Sequence, residues 1–112
     1  MKATLLVFSG RKDPTWLLNN DEAKRLYEQL CQIPGTMETW ERNDYLGYRG
    51  IEVLLDATEK MRIYKSIVEV VSHDEVRRFI DINRELEMWI FQTSRDRIDD
   101  GVYNQLLLSE FQ

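Results

Sequence analysis

The sequence predicts one α+β domain over residues 1–112, a small antiparallel sheet of about three strands packed against two or three helices in the order β-α-β-β-α-α. Three observations lead there. The chain of 112 residues is 43% apolar and holds three Trp, five Tyr and four Phe, enough to fill one core and too little for two. Two β-rich runs, residues 51–55 and 62–71, are separated by a polar stretch too short for a crossover helix, so they pair antiparallel. Two stretches with apolar residues at helical spacing each follow an Asn or Ser with Glu three positions on, the pattern of a capping box.

Residues 3–8 form an unbroken apolar and β-branched run ended by Ser9-Gly10, which reads as a strand buried on both faces at the centre of the sheet. Residues 11–18 carry Pro14, whose missing N–H and effect on Asp13 favour a loop that delivers Trp16. Asn19 with Glu22 opens a first helix, in which Ala23, Leu26, Tyr27, Leu30 and Cys31 recur until Pro34-Gly35 stops the run. Residues 36–50 have no clear period and read as a long connection with Trp40, Tyr45 and Tyr48 pinning it down.

Taken as one strand, residues 62–71 place Ile63, Ile67 and Val71 on a face with Lys65 and Glu69, and Tyr64, Val68 and Val70 on the other. Ser72 with Glu75 opens the longest helix, roughly residues 74–94, striped by Val76, Phe79, Ile82, Leu86, Trp89, Ile90 and Thr93. After the charged break at residues 95–101, Val102, Tyr103, Leu106, Leu107 and Phe111 mark a short terminal helix.

Composition narrows the function. The net charge is −5 and the basic residues form no run that could neutralise a phosphate backbone, so nucleic acid is not expected as a partner. The start of the chain is too short in its apolar stretch and too charged after it for a signal peptide or a membrane span, and a cytoplasmic location is expected. A single cysteine permits no internal disulfide and neither a multi-thiolate zinc site nor an iron–sulfur cluster. Cys31 continues an apolar stripe and reads as a small core residue, and His73 reads as a solvated turn residue. The carboxylates Asp56, Glu59, Glu85, Glu87, Asp96, Asp99 and Asp100 fall in polar turns or on an expected solvent face of a helix, and no catalytic or metal-ligating set is assigned.

Two segments are dense in residues that dominate interfaces. One is Ser9-Gly10-Arg11-Lys12-Asp13-Pro14-Thr15-Trp16, in which either Gly10 ends a strand, Asp13 caps a turn and Trp16 closes the core, or Arg11, Lys12 and Trp16 line a surface for a partner. The other is Leu46-Gly47-Tyr48-Arg49-Gly50, where two glycines beside an aromatic and an arginine mean a tight turn or close approach of another chain.

The string Phe8-Ser9-Gly10-Arg11-x-x-Pro14-x-Trp16, the helix carrying Ala23, Leu26 and Leu30, the Leu46-to-Gly50 segment and Leu86-Glu87-x-Trp89-Ile90 together resemble the accessory subunits of radical SAM peptide spliceases. Where the family pattern has Arg-Pro-Asn-Pro, this chain has Arg11-Lys12-Asp13-Pro14. The resemblance implies a non-catalytic subunit that helps a radical SAM enzyme excise a tyrosine-derived fragment from a ribosomal precursor peptide, leaving an α-keto-β-amino acid. It also implies that SAM and the iron–sulfur cluster belong to the partner, with none on this chain.

The expectation is therefore docking on a radical SAM enzyme, and on its precursor peptide, through Ser9, Gly10, Arg11, Asp13, Pro14 and Trp16 with Gly47, Tyr48, Arg49 and Gly50. Trp16 is the expected hydrophobic anchor and Arg11 the partner of an acidic group. Two other readings stand beside it. One is a free-standing leader-peptide module that takes the leader as an added strand along residues 62–71, where Lys65 and Glu69 would guard a sheet edge. The other is a small carboxylate- or metal-dependent enzyme using Asp99 or Glu87.

Overall fold

The computed structural model describes residues 1–40 and 47–111. Six strands form one antiparallel sheet: β1 (Lys2–Leu5), β2 (Thr15–Leu17), β3 (Ile51–Leu54), β4 (Lys60–Tyr64), β5 (Ile67–Val71) and β6 (Val76–Ile80), in the order β2-β1-β3-β4-β5-β6. Three helices complete it: α1 (Asn20–Leu30), α2 (Glu85–Thr93) and α3 (Asp100–Ser109). The α+β class stands, and the sheet has twice the expected strands.

Each extra strand has a local cause. Thr15–Leu17 follows Pro14 in extended backbone and pairs with β1, Ala3 opposite Trp16, so part of the expected loop is an edge strand. Residues 62–71 are not one strand, because Lys65 (φ 45°) and Ser66 (φ 72°) are both left-handed and fold β4 back on β5. Two consecutive positive φ values are what a two-residue hairpin turn needs, but Asn-Gly or Asp-Gly usually signals it. The turn also resets the faces: Ile63 lies opposite Val68 and both are buried, whereas a continuous strand would have separated them.

The first part of the expected long helix is β6. Ser72 and Glu75 close a hairpin, with Ser72 N–H donating to Glu75 O at 2.9 Å, in place of capping a helix. Helix α2 begins at Glu85, after a distorted 3-10 turn over Ile82–Arg84. Its N-cap residue is Arg84, but its first free amides are held by Asp81, whose carboxylate oxygens accept from Leu86 N–H at 2.8 Å and Glu87 N–H at 2.9 Å. The first helix has the expected capping box, Asn19 Oδ1 accepting from Glu22 N–H and Glu22 Oε1 from Asn19 N–H. The terminal helix is also as expected, capped by Asp99.

The helices cover one face of the sheet. Ala3, Leu5, Trp16, Ile51, Val53, Met61, Ile63, Val68 and Val70 point into that layer and meet Leu26, Leu86, Ile90, Phe91, Tyr103, Leu106 and Phe111. Phe91 lies between Tyr103 and Phe111, its ring centroid 4.6 and 4.3 Å from theirs in stacked geometry. The opposite face is half-buried, with the Trp40 ring 5.0 Å from the Arg62 guanidinium, and carries a cross-strand row, Glu52 opposite Arg62, Arg62 opposite Glu69 and Glu69 opposite Arg78. Neighbours of opposite charge sit there without mutual repulsion, and Arg78 closes on Glu69 at 3.1 Å.

The position of β1 differs from the expectation of a central strand: it is second from an edge. Cys31 is exposed at the end of α1, because the stripe turns past the core there. No helix among the described residues is long and apolar enough to cross a membrane.

Candidate docking surface

The loop joining β1 to β2 is built around Asp13. Its Oδ1 accepts from Val7 N–H at 3.0 Å and Phe8 N–H at 2.7 Å, folding the chain back on itself and leaving Ser9 and Gly10 exposed at the tip. Pro14 O then accepts from Leu5 N–H at 3.0 Å and starts the β1–β2 ladder. The Arg11 guanidinium lies over the Phe8 ring, 3.6 Å from its centroid. Arg11 and Lys12 are both exposed, and neither makes an ion pair among the described residues.

The Gly47 segment comes to the same place. Leu6 N–H donates to Gly50 O at 3.0 Å while Leu6 O accepts from Arg49 N–H at 2.7 Å, so two residues of one strand face one of the other, as in a bulge. Arg49 Nη2 donates to Phe8 O at 2.9 Å and lies 4.0 Å from Asp13 Oδ2, binding the two segments through side chains as well. Gly50 (φ +108°) is buried where a Cβ would stand 2.5 Å from Ile63 O, which explains why no other residue fits the bulge. Leu46 and Tyr45 lie outside the described residues.

Below the bulge a charged network is buried. Tyr48 Oη donates to Glu87 Oε2 at 2.5 Å, and Arg84 holds the same carboxylate with two bonds, Nε to Oε1 at 2.9 Å and Nη2 to Oε2 at 3.0 Å. Arg84 Nη1 also donates to Glu110 O at 2.9 Å, and the guanidinium covers the Phe111 ring at 5.0 Å. Burial, then the Glu87 carboxylate, pushes the Tyr48 phenol well above its ordinary range. Burial likewise raises the Asp81 carboxyl, against the pull of the Glu87 and Leu86 amides. The hydrogen bonds to Glu87 hold the Arg84 guanidinium firmly charged.

This corrects the placement of Glu87 on a solvent face, since its residue is 0% exposed. The reason is geometric. Asn83 (φ 56°) and Arg84 (φ 57°) are both left-handed, and the resulting kink turns α2 so that Glu87 faces Tyr48.

Two hollows flank the Phe8–Arg11 ridge. One, of about 530 Å³, lies between Arg11, Lys12 and Thr15 and the start of α3 at Ile98, Asp99 and Val102. The other, of about 270 Å³, lies between Phe8, Arg11, Gly47 and Tyr48 and the α3 residues Gln105 and Ser109. Ser9, Gly10, Arg11, Asp13, Pro14, Gly47, Tyr48, Arg49 and Gly50 therefore form or support one region of the surface.

Trp16 is the exception. It is 4% exposed, faces the helices and donates from Nε1 to Thr93 Oγ1 at 2.9 Å, so it closes the core and offers a partner nothing. The α3 wall had no sequence signal of its own: Val102 and Leu106 read as core stripe, and nothing in the pattern singled out Gln105 or Ser109.

Among the described residues no group of three or more His, Cys, Asp or Glu is arranged to hold a metal ion. No protein-family description, curated protein or solved structure matches the chain.

Proposed function

We propose that this chain is a non-catalytic accessory subunit that docks on a radical SAM peptide-modifying enzyme through the smaller hollow, between Phe8, Arg11, Gly47 and the exposed face of α3. The class of partner comes from the resemblance in the N-terminal and Gly47 segments. The docking face is argued from the fold. One observation carries it: the two segments that bear the resemblance, far apart in sequence, are tied together by the Arg49 bonds to Leu6 and Phe8 and wall one hollow.

In this reading Arg11 meets an acidic group of the enzyme and Phe8 supplies apolar contact beneath it, in the role first given to Trp16. The buried Tyr48–Glu87–Arg84 network holds the floor rigid, so little ordering cost falls on association. The cluster, SAM and the radical chemistry belong to the enzyme.

The test is a titration of the purified chain into the radical SAM enzyme. Arg11→Glu and Gln105→Trp, one reversing the rim charge and one filling the hollow from an exposed helix position, are each expected to weaken binding by roughly tenfold or more. Both sites are exposed, so circular dichroism should be unchanged. Unaltered affinity in both variants, or no complex with the unmodified chain, contradicts the proposal.

A further inference from the structure

We propose that the β2 edge of the sheet, with the larger hollow beside it, takes an extended peptide of alternating acidic and apolar residues as an added strand. The two hollows share Phe8, Arg11 and Val102, but the β2 backbone and Lys12 belong to this site alone, and the inference is tested on this chain without the enzyme, so either can fail without the other.

Residues 62–71, where strand addition was first expected, cannot serve. β4 and β5 are interior strands paired on both sides. Among the described residues the outermost strands are β2 and β6. On β6 the segment before Met37 already occupies part of the edge, Ile80 N–H donating to Pro34 O at 2.8 Å and Thr36 N–H to Arg78 O at 2.9 Å. Its two arginines are also engaged, Arg77 with Glu59 at 2.9 Å and Arg78 with Glu69 at 3.1 Å.

On β2 the ladder to β1 runs through Pro14, Trp16 and Leu18: Pro14 O accepts from Leu5 N–H and Leu18 N–H donates to Met1 O. In an antiparallel pair alternate residues turn their N–H and C=O the other way, so those of Thr15 and Leu17 face outward. Leu17 O accepts from Arg97 Nη1 at a long 3.3 Å, which leaves the Leu17 N–H and both Thr15 groups as a short template for another chain.

The surroundings select the occupant. A strand laid against β2 sends alternate side chains to the two faces of the sheet. On the helix side they enter the hollow of about 530 Å³, whose rim carries exposed Arg11 and Lys12 against one carboxylate, Asp99, already capping α3 through Val102 N–H. That side favours acidic residues, on a chain whose net charge is −5. On the other side lies the Leu17 side chain, 72% exposed, which an apolar residue would cover.

The probe is a synthetic peptide alternating Glu with Val, titrated into the full chain labelled with nitrogen-15. Binding is expected, with slowed exchange of the Thr15 and Leu17 amides. A peptide with Lys in place of Glu should bind at least tenfold more weakly, as should the Glu peptide to Lys12→Glu. Leu17→Pro removes an outward N–H and no ladder bond, so the fold should persist while affinity falls at least tenfold. The same peptide N-methylated on alternate residues gives a readout that does not depend on how that variant folds. Absence of binding, equal binding of the Lys peptide, or binding undiminished by N-methylation overturns the proposal.

Discussion

Replacing Arg84 by alanine is expected to lower the unfolding free energy by about 3 kcal/mol, measured by urea denaturation at neutral pH. Glu87 is fully buried and Arg84 supplies two of the three hydrogen bonds to its carboxylate, the third coming from Tyr48. Removing the guanidinium leaves the buried carboxylate with Tyr48 as its remaining side-chain partner among the described residues, and it frees Glu110 O at the C-terminal end. The Arg84 side chain is itself 29% exposed, which keeps the expected loss near the low end for buried pairs. Arg84→Gly separates the causes. It loses the same bonds but relieves a left-handed backbone position, and so should be less destabilised than the alanine variant by roughly 1 kcal/mol.

The same network sets an alkaline limit. The folded state holds the Tyr48 phenol neutral beyond its ordinary range, whereas the unfolded chain ionises it near pH 10. A raised acid contributes its stability in full below the unfolded value and loses it as pH rises beyond, by about 1.4 kcal/mol per pH unit. Tyr48→Phe should be free of that component, although it leaves Glu87 with Arg84 alone.

Gly50→Ala is the second large effect, with an expected loss of about 3 kcal/mol or more. Two terms act together. An L residue at φ +108° is strained, which costs on the order of 1–3 kcal/mol, and the new Cβ would stand 2.5 Å from Ile63 O and 2.9 Å from Tyr64 Cβ. Neither neighbour can retreat cheaply, because both belong to β4, which is paired with β3 and β5. Gly47 provides the control. Its φ of +114° is similar but a Cβ there meets nothing within 4 Å, so Gly47→Ala should show the backbone term alone. Because the bulge at Gly50 sets where Arg49 and Tyr48 lie, Gly50→Ala should also loosen the docking surface, seen as faster amide exchange at Val7 and Phe8.

How much of this was legible in the sequence depended on whether the deciding interaction was local. The Asn19–Glu22 capping box and the terminal stripe of Val102, Tyr103 and Leu106 depend on neighbours a few residues away, and both helices form where read. The Lys65-Ser66 turn has none of the usual hairpin residues. Its left-handed pair is imposed by the pairing of β4 with β5, so one apparent strand hid two. Val76 and Phe79 have helical spacing, yet they pair with Val71 and Val68, because a sheet partner competes with local propensity and here prevails. Glu87 was misplaced for a different reason: the left-handed pair at Asn83 and Arg84 kinks the chain and turns it inward, which the helical stripe did not signal.

For the site, the two residue clusters were visible as anomalies, rich in glycine, arginine and aromatics. Their meeting through Arg49 and Leu6 was not, since it depends on β3 returning beside β1. Trp16 fitted both a core and an interface role, and only the fold separates them.

The central claim is that a radical SAM enzyme covers the face formed by these two segments and α3. Hydrogen–deuterium exchange of the full chain, free and in complex, tests it most directly. Protection concentrated in residues 7–12, at Gly47 and along residues 102–109, with the Glu52–Arg62–Glu69–Arg78 face unchanged, is the predicted footprint. Protection of that charged sheet face, with the loop and α3 exchanging as in the free chain, would contradict it.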